Sequence, residues 1–111
     1  MINRAYLPWQ QNDKIKDMKK FRKKPVVIEA IQLTEKLFWE TYDSKERIFG
    51  QFTFSGSYHP VNRTVSNVYI VIPTLEGTMR ADLNDWLIKG IKGEFYPCKP
   101  DIFENSYDPA E

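Results

Sequence analysis

In Trp86–Pro97, WLIKGIKGEFYP, two glycines bracket an Ile-Lys step between two runs that alternate in polarity. That pattern predicts a β-hairpin. With Ile91-Lys92 at the tip and Gly90 facing Gly93, Lys89 falls opposite Glu94, Ile88 opposite Phe95 and Leu87 opposite Tyr96. Alternation then puts Ile88 and Phe95 on one face and the Lys89–Glu94 ion pair on the other, so register agrees with burial. The glycines supply the positive φ of a tight turn. Pro97 and Pro100 end the ladder, because neither can donate a hydrogen bond.

Working back from this ribbon, Asp82 and Asp85 flank a turn just before Trp86, where Asp side chains can bond the local backbone. Glu76-Gly77 reads as the bend of an earlier hairpin that joins a strand over 65–72 to a return through Thr78–Ala81. On the 65–72 strand, Val68, Ile70 and Ile72 share one face. The run Ser55–Arg63, SGSYHPVNR, reads as a loop, and Gln51–Phe54 as a short strand before it. Thr34 is a helix N-cap for a segment reaching Ser44, with Leu37, Phe38 and Tyr42 on its apolar side. Pro25–Leu33, PVVIEAIQL, is β-branched and apolar on both faces apart from Glu29 and Gln32, the pattern of a central strand. A further short helix over 12–21 would align Ile15, Met18 and Phe21.

These elements predict an α+β domain over 18–111, with a small antiparallel sheet or partly closed β-barrel covered by the Thr34 helix. Residues 1–17 read as an N-terminal extension, either ordered through Tyr6, Leu7 and Trp9 or flexible. The chain has 111 residues, 41% hydrophobic, 14% aromatic and 28% charged, which suits one globular core and excludes wholesale disorder. Net charge is +1, so the molecule as a whole has no strong pull on nucleic acid or acidic lipid. The charges are unevenly placed: Lys14, Lys16, Lys19, Lys20, Arg22, Lys23 and Lys24 crowd the front, and Asp101, Glu104, Asp108 and Glu111 close the chain. The two ends attract each other, within one chain or between subunits. A single cysteine, a charged N-terminus and the lack of a membrane-length apolar run make the cytosol the expected location, with no membrane partner.

Catalytic chemistry finds little footing. Cys98 and His59 are one thiol and one imidazole with no local signature around either, and Cys98 reads as a small apolar residue at a strand end. One cysteine and one histidine cannot close a zinc site, and no calcium-loop spacing occurs, so no metal is expected. Gly90 and Gly93 lie between strands instead of opening a helix, which excludes a phosphate-binding glycine loop. Asp82 and Asp85 are explained by turn formation more simply than by acid–base work. What remains is a binding surface: Arg80, Lys89 and Lys92 with Trp86 and Tyr96, cations beside flat rings that suit a small phosphorylated ligand such as a nucleotide, or single-stranded nucleic acid. An alternative is nucleic-acid contact through Lys19, Lys20, Arg22, Lys23 and Lys24.

Two segments together resemble a group of short proteins encoded by tailed bacteriophages and prophages. They are MKKFRKKPVVIEAIQLT, residues 18–34, and the stretch from TLEGTMRA at Thr74 through DWLIKGIKGEFYPCKPDIFENSY, ending at Tyr107. Related sequences commonly place a glycine before the Asp-Trp step; Asn84 stands there in this chain, and asparagine tolerates positive φ. The resemblance implies a phage or prophage accessory protein, not an enzyme, that needs no cofactor and works by non-covalent binding in the host cytoplasm. It implies interference with a host factor or antiviral defence, by blocking a protein or sequestering a nucleotide signal, as a small homo-oligomer. A minor virion or assembly component is the remaining alternative.

Overall fold

The computed structural model describes residues 18–110. Its elements run β1 (Glu29–Gln32), α1 (Glu35–Ser44), β2 (Ser55–His59), β3 (Thr64–Thr74), β4 (Gly77–Asp82), β5 (Trp86–Lys89), β6 (Phe95–Cys98) and α2 (Pro100–Ser106). The strands form two antiparallel sheets, in the orders β1-β5-β6 and β2-β3-β4. Neither sheet closes into a barrel; the fold is α+β. The helix expected over 12–21 lies outside the described residues except for 18–21, which are not helical. No helix among the described residues is long and apolar enough to cross a membrane.

The sheets meet through one apolar layer. Ile70 and Ile72 of β3, Ala81 of β4 and Leu87 of β5 join Leu33, Ile48 and Phe52 in a single buried cluster. Leu33, Ile70, Ile72 and Leu87 are fully buried, each contributing about 1.5–3 kcal/mol relative to an exposed position. Thr34 caps α1 as its sequence predicts, its Oγ1 accepting from the Leu37 N–H at 3.1 Å. The helix ends where Lys45 turns left-handed at φ 64° and its N–H donates to Thr41 O. Leu37 packs on the core cluster and Phe38 is buried.

The second hairpin exists, with its register moved by one residue. Gly90 N–H donates to Glu94 O at 2.7 Å, so Lys89 faces Phe95, Ile88 faces Tyr96, Leu87 faces Pro97 and Trp86 faces Cys98. The loop is Ile91-Lys92-Gly93, with Gly93 at φ 84°. A two-residue tip would force positive φ on β-branched Ile91; the three-residue loop puts that conformation on a glycine instead. The shift turns Phe95 toward the Leu87 face and the core cluster and leaves Tyr96 on the opposite face with Ile88. The first hairpin likewise turns at Leu75-Glu76, because Thr74 pairs with Gly77.

Three further expectations are corrected. Strand β1 starts only at Glu29 and lies at the sheet edge; the central place belongs to β5, whose Leu87 and Ile88 are both fully buried. Ser55–His59 is a strand, not a loop, while Phe52 makes only an isolated bridge with Ile48. Local propensity argues against Ser-Gly-Ser as strand, but β3 supplies a ladder partner and Gly56 lets the backbones close. Ser66 is the extra residue of a bulge in that ladder, its hydroxyl donating to Ser57 O at 3.1 Å. Finally, Pro97 does not end the ladder but lies inside β6 opposite Leu87, and Pro100 occupies the first turn of α2, where its missing N–H costs nothing.

Candidate functional site

The residues singled out on the second hairpin do not share one surface. Arg80 stands on the outer face of β2-β3-β4, its Nε donating to Asp82 Oδ1 at 2.8 Å and its Nη2 to Asn67 Oδ1 at 2.9 Å. Its guanidinium lies 4.0 Å from the Tyr69 ring centroid, so an acceptor, a carboxylate and an aromatic face already engage it. Trp86 lies on the outer face of β1-β5-β6 beneath α2, its ring stacked on Phe103 at 3.9 Å and 5°. Phe103 stacks in turn on Tyr107 at 4.9 Å. Tyr96 shares that face, where burial and then the neighbouring Tyr107 push its hydroxyl up to about 12. Lys89 pairs across to Glu29 on one side and Phe95 on the other, and Lys92 is exposed at the loop tip. Lys19, Lys20, Arg22, Lys23 and Lys24 are all exposed in the segment before β1, which is neither helix nor strand.

Cys98 and His59 belong to different sheets. The His59 Nδ1 accepts from Asn62 N–H inside its own turn, and burial, followed by the charges of Asp101 and Asp85, raises the Cys98 thiol above its ordinary range. Asp85 is buried and structural: its Oδ2 accepts from Asp82 N–H at 2.9 Å and from Lys99 Nζ at 3.1 Å. Asn84, at φ 76°, completes that turn and donates its N–H to Leu33 O at 2.7 Å, tying β1 to the start of β5. Among the described residues no group of His, Cys, Asp and Glu is placed to hold a metal ion.

Cations beside aromatic rings do occur together, at a different corner. One turn of α1 presents Phe38, Trp39 and Tyr42 toward β2 and the chain leading into it. Tyr58 of β2 sits with its ring centroid 5.2 Å from Phe38, 5.4 Å from Tyr42 and 6.1 Å from Trp39; Phe54 closes the group at 5.3 Å from Phe38. Edge-to-face geometry dominates, the arrangement ring quadrupoles favour. Arg63, left-handed at φ 60° in the β2–β3 turn, reaches across so that its guanidinium lies 4.6 Å from the Trp39 ring centroid and 5.9 Å from that of Tyr42. Its Nη2 donates to both oxygens of Asp43, at 3.0 and 3.2 Å. Lys45 Nζ lies 5.5 Å from the Tyr42 centroid. Beside these rings is an open recess of about 270 Å³ whose walls include Thr41, Tyr42, Lys45, Arg47 and Tyr58.

This corner holds packed rings and oriented cations, groups that suit non-covalent contact. Sequence reasoning missed it because Ser55–Arg63 read as loop, which left Tyr58 and Arg63 with no place opposite α1. The available signal was the Phe-Trp-x-x-Tyr spacing of α1, which puts three aromatic rings on adjacent positions of one helix. Comparison with known proteins finds no family model, no curated protein and no solved structure that matches the chain.

Proposed function

We propose that this chain is an accessory protein of a tailed phage or prophage that works in the host cytoplasm by non-covalent binding of a host protein. Its contact surface is the corner built from Trp39, Tyr42, Tyr58 and Arg63. The observation that supports this reading is the preassembly of the corner: Arg63 is already fixed over Trp39 by its two bonds to Asp43. Trp, Tyr and Arg dominate binding energy at protein interfaces, and side chains ordered before the encounter lose little entropy on binding. The partner is a host factor or a component of antiviral defence whose surface the corner covers.

A second reading rests on Lys45 and Arg47 at the recess beside Tyr42 and Tyr58: a small phosphorylated ligand such as a nucleotide signal, its base on a ring and its phosphates on the two cations. The exposed Lys19–Lys24 arm favours nucleic acid as a third, with affinity that falls steeply as salt rises.

The test is a matched affinity isolation from host lysate with the native chain, with Trp39→Ala combined with Arg63→Glu, and with Arg80→Ala. A host protein kept by the native chain and by Arg80→Ala, and lost by the double variant with its circular dichroism intact, is the expected result. The same proteins recovered with all three forms would remove the corner as the contact surface. Titration calorimetry with nucleotides, and a mobility-shift assay at two salt concentrations, separate the other two readings.

A further inference from the structure

Between α2 and the segment that leads into β1 lies an open groove of about 550 Å³. Val26, Val27 and Ile28 of that segment line it, together with Trp86 of β5, Phe103 of α2 and Tyr107 at the helix end. Val26 and Val27 are 45% and 73% exposed, so the aliphatic side of the groove stays open to water.

Three features of the groove point to an occupant. Its charged lining residues are Glu104 and Asp108, both exposed and neither in an ion pair among the described residues. The backbone groups of Val26, Val27 and Ile28 make no hydrogen bond among the described residues, because the β1–β5 ladder begins only at Glu29. The indole Nε1 of Trp86 is buried with no hydrogen-bond partner among the described residues, and a buried donor left unpaired is costly.

We propose that the groove binds an extended, basic and apolar peptide segment of another protein. The segment's apolar side chains cover the valines and the rings of Trp86, Phe103 and Tyr107, and its lysines or arginines meet Glu104 and Asp108. Its main chain pairs with the unpaired backbone of Val26–Ile28, as an added strand extends a sheet edge; β1 is an edge strand. A peptide carbonyl that reaches Trp86 Nε1 supplies the acceptor this donor lacks. The open backbone selects a peptide over a small apolar amine, which could meet the carboxylates and the rings but could not extend a strand edge. The described residues that line the groove include no lysine or arginine, so charge complementarity favours a basic segment over an acidic one. The site uses other residues than the Trp39 corner and is a second contact surface.

The experiment is fluorescence anisotropy of the full chain with two labelled peptides, Lys-Leu-Lys-Leu-Lys-Leu-Lys and the same sequence with Glu for every Lys. In an extended peptide this alternation sets the leucines on one face and the charges on the other. The native chain should bind the lysine peptide, and bind the glutamate peptide at least about tenfold more weakly. Val27 lies outside the β1–β5 ladder, so Val27→Lys should lose the lysine peptide with its circular dichroism unchanged. Val71→Lys, at an exposed position of β3, adds the same charge elsewhere and should keep it. Glu104→Lys combined with Asp108→Lys should reverse the preference toward the glutamate peptide. A native chain that binds neither peptide overturns the inference, including the case in which residues 1–17 or a second copy already fill the groove. So does equal binding of the two peptides, or binding indifferent to Val27→Lys. Trp39→Ala combined with Arg63→Glu should leave the lysine peptide bound, so this inference and the proposed function stand or fall separately.

Discussion

Gly56 is the residue on which β2 most directly depends. Its φ is 116°, and a Cβ there would sit inside the van der Waals shell of the Asn67 carbonyl, a backbone group that cannot swing away. Gly56→Ala should therefore destabilise the protein by about 3 kcal/mol, read as a lower urea midpoint; an unchanged midpoint would refute the close β2–β3 approach. At Cys98 the raised thiol holds little thiolate near neutral pH. Iodoacetamide should modify it more slowly in the folded chain than after urea unfolding, and rapid modification of the folded form would reopen a reactive role.

Tyr96 gives a pH signature. Its hydroxyl is pushed up to about 12 in the fold from an ordinary value of 10.0, so the native state keeps a proton that the unfolded chain releases first. The stability this supplies is complete below about pH 10 and is lost as pH climbs toward about 12. Tyr96→Phe should flatten that part of the alkaline unfolding curve, and a curve of unchanged slope would count against burial as the cause. Single residues were the most legible level of the sequence. Thr34 as a cap, Asn84 at positive φ and Asp85 as a turn former each act through local backbone chemistry that neighbouring residues reveal.

At the level of elements, legibility tracked how local the deciding interaction is. The hairpins over 65–82 and 86–98 are visible from alternation, yet both tips moved by one residue. Tip placement depends on which residue takes positive φ, and in the second hairpin Gly93 takes it while Gly90 remains in the ladder. Strand β2 was hidden because its Ser-Gly-Ser start has little strand preference of its own, and the ladder with β3 supplies the pairing that makes it a strand. Helix α2 was hidden for a related reason. It has no side-chain cap bond, and it is too short to persist alone, so its fixing point is the stack of Phe103 and Tyr107 on Trp86. Phe103→Ala should release α2, so that amides of 100–106 exchange freely while those of β3 and β4 keep their protection. Retained protection in α2 would show that something other than this stack holds it.

Across the whole molecule, the two surfaces that stand out come from contacts far apart in sequence. The corner joins α1 to the β2–β3 turn, with Asp43 and Arg63 as its brace. The groove lined by Val26, Val27, Trp86, Phe103 and Tyr107 joins the segment before β1 to the end of the described chain. The sequence did show the ingredients of both, in the aromatic content, the two-sided PVVIEAIQL run and the separated charges. Their grouping into surfaces required the strand order and the position of β2. Arg80, Lys89, Lys92, Trp86 and Tyr96 read as one patch only while the two hairpins were treated as one surface; the separate sheets divide them. The most direct measurement is hydrogen–deuterium exchange on the complex recovered from host lysate, compared with the free chain. Slowed exchange across Trp39–Lys45 and Tyr58–Arg63, with the Ile91–Gly93 loop unchanged, is the result expected of a corner that binds a host protein. Slowing confined to the Lys89–Tyr96 hairpin, with α1 and the β2–β3 turn unaffected, would contradict it.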